Sequence, residues 1–247
     1  MDKALYVSMT GAKHNMLEQA VRSHNLANVS TVAFKADLAN AISQPIKHGE
    51  GVNSRIFAVA QTPSVDFSIG NSIETGRELD LIIDGEGWLS LQTQTNEEVY
   101  SRGGNLSVDS FGVLRNERGL AVLGNAGPVL IPEAEKIEIG GDGTITARTM
   151  GQGPDALVIV DRLKLVNPDI SDLEKRADGL IYSKSEANDT DASVRVRSGF
   201  LESSNVNAVG ELTAIMSLAR QFEMQIKMMN TVAENADASN RILRVQV

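Results

Sequence analysis

The chain has 247 residues, no cysteine and a formal charge of −9, which allows one large domain or two modest ones and excludes thiolate metal sites, a thiol nucleophile and a disulfide framework. Its 42% hydrophobic content is too high for disorder throughout. The charge is +2 over residues 1–35 and zero over 205–247, leaving −11 in the middle; this lacks the clustered Lys and Arg that phosphate binding requires, so nucleic acid is not an expected partner.

The first predicted element is a helix from Lys3 to Ala27. Leu5, Met9, Ala12, Met16, Gln19, Ser23 and Leu26 recur at 3-4 spacing, the signature of one helical face. Its small and polar members permit close approach of a second helix axis. The helix is expected to stop near Asn28, where Val29, Ser30 and Thr31 favour turns or extended backbone. Residues 35–42 are expected to add one more helical turn, ended by Pro45, Gly49 and Gly51.

From Arg55 the period changes. Residues 55–60 alternate, 63–70 read as extended chain, and 79–83 form a short apolar run. Glycines then recur every 8 to 15 residues, from Gly85 to Gly151 and Gly153. Short β-rich pieces lie between them at 88–92, 99–101, 106–108, 121–123, 129–131, 137–139, 144–147, 157–160 and 162–166. This spacing suggests an all-β domain of sandwich or open-barrel kind. Residues 168–174 read as one helical turn, and 180–182 and 194–196 as the last strands.

The run from Asn205 to Leu243 has no proline and, after Gly210, no glycine. Leu212, Ile215, Ala219, Phe222, Ile226, Met229, Ala233, Ala236, Asn240 and Leu243 hold an uninterrupted 3-4 alternation. About 33 residues at about 1.5 Å each make a rod of about 50 Å, which needs a partner of comparable length. The fold class expected is therefore an elongated α+β molecule. Residues 1–36 and 202–247 form a discontinuous helical domain with long helices at both ends, 37–75 and 183–201 are extended connectors, and 76–182 form a central β-domain. The two helices can pair only antiparallel, and only if the β-domain receives and releases the chain at neighbouring points.

A search for chemistry finds little. His14 and His24 are about 15 Å apart along one helix and on different faces, and with His48 they read as solvated or interface groups, not metal ligands. Gly85-Glu86-Gly87 lacks the rest of a dinucleotide fingerprint, and Asp142-Gly143-Thr144 reads as a β-turn, not a calcium loop. Asp84 and Glu86 are a carboxylate pair of the kind glycosidases use, but such a pair is expected by chance among 32 acidic residues. No catalytic residue, cofactor or metal is assigned. Met216, Met224, Met228 and Met229 form either an adaptable surface or core filling.

The segments ALYVSMTGAKHNMLEQAVRSHNLANVSTVAFKAD near the N-terminus and SGFLESSNVNAVGELTAIMSLARQFEMQIKMM near the C-terminus resemble the paired terminal signatures of bacterial flagellar rod and hook proteins. LDLIIDGEGWLSLQ, YSRGGNLSVDSFGVL and GLAVLG resemble that family's β-domain. Within the family the likeness is greatest to the proximal rod type, with a distal rod or hook-like protein as the alternative and a cell-wall glycosidase a remote one. Ala33 stands where the family generally has glycine, which questions a positive φ after the first helix. Gly210 replaces a usual Glu and is expected to weaken the last helix by about 1 kcal/mol relative to Ala.

The resemblance implies a non-enzymatic rod subunit, exported by the flagellar type III apparatus without a cleaved signal and assembled in the periplasm. Its partners would be copies of itself, other rod subunits including the distal rod protein, and membrane-ring or export-gate adaptor proteins at the rod base. The expected assembly interface is Leu5, Met9, Ala12, Met16 and Leu26 on the first helix, with Leu212, Ile215, Ala219, Phe222, Ile226, Met229, Ala233, Ala236 and Leu243 on the last. These helices would form the inner wall of a hollow tube that transmits torque.

Overall fold

A computed structural model of the protein describes residues 3–39, 41–45, 56–60, 64–149, 158–176, 178–184 and 188–244. His48, Gly49, Gly51, Arg55, Gly151 and Gly153, singled out above, lie outside the described residues, as does the side chain of Leu243. The chain divides into two compact units. One comprises residues 1–29, 36–66 and 206–247, the other 30–35 and 67–205.

The first unit contains helix α1, Lys3–Ala27, and helix α2, Ala208–Arg244. Asn207 caps α2: its side-chain oxygen accepts the N–H of Val209 at 3.1 Å and of Gly210 at 3.2 Å, satisfying donors that the first helical turn leaves open. Helix α1 ends because its last turn is turned to other uses. The Asn25 amide donates to the Asp37 carbonyl and accepts the Asp37 N–H, both at 2.9 Å. The Asn28 side chain takes the carbonyl of His24 at 2.9 Å.

The fold class expected from sequence is corrected here. Among the described residues there are two α-helices, but they are not long at both ends: α1 has 25 residues and α2 has 37, about 37 Å against about 55 Å. Nor do residues 35–42 extend the first helix. Asp37–Leu38 pairs antiparallel with Ser64–Val65, and Ala41–Pro45 with Ile56–Ala60. Asn25 offers Asp37 the hydrogen bonds of a neighbouring strand, and that non-local pairing overrides the local helical pattern.

The second unit is built on one ten-stranded antiparallel sheet. Its order is Leu173–Lys175, Ile181–Ser183, Glu98–Ser101, Trp88–Gln92, Ala121–Val122, Leu114–Asn116, Gly104–Val108, Asp80–Asp84 and Arg195–Ser198, with Leu165–Val166 also pairing Trp88–Gln92. A three-stranded sheet, Ala134–Ile139, Thr144–Thr149 and Val158–Arg162, contributes Ile139, Ile145 and Ala147 to the same core as Leu81, Leu91, Leu106 and Leu114. Successive residues of the central strands serve two cores. Leu89, Val99 and Leu165 enter the larger, while Trp88, Tyr100 and Val166 enter a second with Leu173 and Ile181. Burial on both faces explains why adjacent positions such as Trp88 and Leu89, or Val99 and Tyr100, are both apolar. The sheet also demands Gly104, since a Cβ there would lie 1.9 Å from the carbonyl oxygen of Leu81.

Sequence reading located most of these strands, with Trp88–Gln92 matching end for end. Ser72–Glu74, which pairs with Phe200–Glu202, went unrecognised. Residues 168–174 give a single 3₁₀ turn, Ile170–Asp172, followed by a strand.

Candidate assembly interface

Helices α1 and α2 pack against each other, and two contacts set their direction. Arg22 Nη1 meets Glu211 Oε1 at 3.2 Å, and Gly11 lies against the side chain of Gln225. Residue 22 opposite 211 and residue 11 opposite 225 make the pair antiparallel.

The covered face is not the one with the greatest hydrophobicity. On α1 it contains Ser8, Ala12 and Asn15, all buried, and on α2 Glu211 and Leu218, also buried, with half-buried Phe222, Gln225, Met229 and Val232. The expected stripes share Leu5, Ala12 and Leu26 with this face on α1 and Ile215, Phe222 and Met229 on α2, each buried or half-buried. The alternate members, however, are displaced by one residue. Ser8 stands inside for Met9, Asn15 for Met16, Glu211 for Leu212, Leu218 for half-buried Ala219, Gln225 for Ile226 and Val232 for Ala233. One residue is about 100° of helix, enough to move a side chain from the seam to its flank.

Large apolar groups are consequently left uncovered. Met9 is 50% exposed, Met16 59%, Leu212 51% and Ile226 38%, and Tyr6, Leu17, Met216, Met224 and Met228 are exposed with them. Three of the four methionines in question therefore lie at the surface. Ala233 and Ala236 are exposed as well, as is α2 on every side from Ala233 to Arg241. Tyr6, Leu17 and Met216 were absent from the expected interface, although 6, 9, 13, 16, 20 and 23 form a second 3-4 series on α1 that could have revealed Tyr6.

The second unit holds a buried cluster that sequence reading missed. Glu202 is fully buried, and its carboxylate accepts hydrogen bonds from Lys35 Nζ at 2.7 Å, Arg102 Nε at 2.7 Å and the Gly70 N–H at 3.0 Å. Lys35 also donates to the Ser68 carbonyl at 2.7 Å. Arg102 also donates to the carbonyls of Gly87, Ile83 and Gly85 and lies over the Trp88 ring. Burial pushes the Glu202 carboxyl up, but the Arg102 charge, the Lys35 hydrogen bond and the Gly70 N–H outweigh it and hold it below the ordinary carboxylate range. Ala33, beside this cluster, donates its N–H to the Glu202 carbonyl at 2.8 Å and has φ +51°. The positive φ is thus kept despite the alanine.

Three of the candidates for chemistry have structural partners. Asp84 is gripped by the Arg197 guanidinium at 2.8 to 3.1 Å, Asp142 accepts the N–H and hydroxyl of Thr144 within the turn at Gly143, and His24 pairs with Asp37 at 3.0 Å. No group of His, Asp and Glu among the described residues could hold a metal ion.

Comparison with known proteins places this geometry. Residues 197–242 match the family model described as flagellar basal body rod FlgEFG protein C-terminal, and residues 82–147 the flagellar hook protein FlgE/F/G D1 domain. The flagellar basal-body rod protein FlgF of Escherichia coli strain K12 is 38% identical over 98% of this chain and 99% of its own length. The chain belongs to the flagellar basal-body rod family. FlgF of Salmonella typhimurium strain LT2 is likewise 38% identical over 98% of this chain and 99% of its own, while FlgG of Bacillus subtilis strain 168 is 29% identical over 95% and 96%. As a rod protein it is a structural subunit of the flagellar basal body. The C-terminal family model spans the whole of the α2 surface described above, from Val209 to Arg241, and the hook-protein D1 model spans Arg102 and the central strands. No helix among the described residues is long and apolar enough to cross a membrane.

Proposed function

We propose that this rod protein is a non-enzymatic axial subunit of the proximal rod. It assembles through Leu5, Met9, Ala12, Met16 and Leu26 of α1 and Leu212, Ile215, Ala219, Phe222, Ile226, Met229, Ala233, Ala236 and Leu243 of α2 into a hollow helical axle that transmits torque. Copies of itself, the distal rod protein and adaptor proteins at the rod base are its partners, and it reaches the periplasm by type III export. The observation that carries the reading is the uncovered apolar flank: Met9, Met16, Leu212 and Ile226 lie in water in the single chain. Covering a large apolar side chain contributes roughly 1.5 to 3 kcal/mol, and contiguous exposure of this kind marks an interaction surface. A contact that joins different patches of successive copies does not close on itself and so extends a filament.

The placement of the seam gives a sharper test than a general disruption would. Phe222 is half-buried in the single chain, whereas Ile226 is exposed. A strain carrying Leu212→Asp with Ile226→Asp should make a folded subunit with normal helicity yet assemble no rod beyond this protein and fail to swim. Full motility in that strain would overturn the reading.

A further inference from the structure

The strands Ser72–Glu74 and Phe200–Glu202 form a two-stranded antiparallel ribbon that is held unlike the main sheet of the β-rich unit. Every residue of the first strand is exposed, and Ile69 and Ile73 are each 51% exposed. Across residues 68–76 and 199–203 the one buried residue is Glu202, a charged one. Neither stretch adds a side chain to the two apolar cores, so burial of apolar surface does not press this ribbon onto the sheet.

Two points fasten it instead. At one end Gly76 and Gly199 face each other, with φ +69° and +82°, and a Cβ on Gly199 would lie 3.9 Å from the Gly76 Cα. The Thr75 and Gly76 N–H groups both donate to the Gly199 carbonyl, at 2.9 and 3.1 Å, and the Gly199 N–H donates at 2.8 Å to the carbonyl of Asp80, the first residue of a main-sheet strand. Paired glycines at a chain crossing absorb dihedral change that other residues resist. At the other end stands the Glu202 carboxylate, whose donors are of two kinds. The Gly70 N–H belongs to the ribbon, and Lys35 Nζ bonds both Glu202 and the Ser68 carbonyl, so that ammonium goes where the ribbon goes. Arg102 belongs to the sheet: the carbonyls of Ile83, Gly85 and Gly87 fix its guanidinium while Nε reaches Glu202 at 2.7 Å.

We propose that the ribbon is a flap, hinged at Gly76 and Gly199 and fastened to the sheet by the Arg102–Glu202 pair. With the pair made, both buried charges are satisfied and the closed flap is the favoured arrangement. Loss of the carboxylate leaves Arg102 as a buried unpaired cation, and lifting the flap returns it to water. A two-stranded ribbon without support is marginal in water, so its amides exchange when it lifts, while the apolar cores stay folded. Opening gives the surface at Ile69 and Ile73 a second position at no cost to those cores. The flap lies wholly within the β-rich unit and does not draw on the axial-subunit reading.

The test is native-state amide hydrogen exchange on the full-length chain, following the N–H groups of Thr75 and Ser203, which bond across the ribbon to Gly199 and Asn71, beside those of residues 88–92 and the emission of Trp88, the single tryptophan, which is buried. In the unaltered chain Thr75 and Ser203 should share one opening with a shallower denaturant dependence than the sheet amides. Glu202→Gln should speed exchange of both by about tenfold or more, with the sheet amides and Trp88 emission unaltered. Lys35→Met, which spares the Arg102–Glu202 pair, should leave both within about threefold of the unaltered chain. The flap is overturned if Thr75 and Ser203 exchange only with the sheet in the unaltered chain, a result that needs no variant. It is equally overturned if Glu202→Gln speeds Ser203 alone, changes neither amide or exposes Trp88, or if Lys35→Met acts as strongly as Glu202→Gln.

Discussion

The two units dispose of their apolar surface in opposite ways. In the β-rich unit Leu91, Val99, Leu106, Leu114, Val122 and Val129 have no measurable exposure, and the sheets close on their own cores. The helical unit places Ser8, Asn15 and Glu211 inside and leaves Met9, Met16, Leu212 and Met216 outside. A domain that must be stable alone hides its hydrophobic groups, whereas one that is completed by neighbours keeps some of them available. By this measure the β-rich unit is finished in the single chain and the helical unit is not.

That contrast can be broken by mutation. The largest effect is expected at Leu114, which is wholly buried in the main core. Leu114→Ala should lower the stability of the β-rich unit by about 2–5 kcal/mol, measured by denaturant unfolding followed at Trp88. Next comes acid. Glu202 has its folded-state pKa depressed, so its contribution is complete above the ordinary carboxylate pKa and is lost as pH falls through the lower folded value. The unfolding midpoint should decline across that interval, and the decline should be shallower in Glu202→Gln. A third change stabilises. Gly210 lies in the first turns of α2 with ordinary clearance for a Cβ, so Gly210→Ala should strengthen that helix by about 1 kcal/mol, seen as slower amide exchange over residues 211–218. Smallest of all, Met216→Gln should alter the stability of the isolated chain by less than about 0.5 kcal/mol. A substantial loss there would mean that this flank is already engaged within the chain, and the contrast would fail.

Much of the framework was legible in local pattern. The 3-4 series marked α1 to within its observed ends, glycines marked the turns, and apolar runs marked the central strands. The 3-4 series includes Met9, Met16, Leu212 and Ile226, which the single chain leaves exposed, because hydrophobicity reports all apolar surface, whichever partner covers it. Here the seam within the chain includes the small or polar Ser8, Asn15, Glu211 and Gln225, so the pattern was drawn toward the outer flank. The strand at Asp37 was misread for a different reason. Its conformation is dictated by the Asn25 side chain and by residues 64–65, none of which is a local signal. The Glu202 cluster had no signal either, because its members are ordinary charged residues until the sheet brings them within 2.7 Å.

The unequal lengths of the two helices have one more consequence. Residues 233–241 of α2 are exposed on all sides, and the 12-residue excess of α2 over α1 corresponds to about 18 Å of helix. A helical segment of that length is marginal in water without tertiary support. Its rigidity is therefore borrowed from whatever lies alongside, and in a rod the bending and twisting stiffness of this region becomes a property of the assembled lattice that no single subunit possesses.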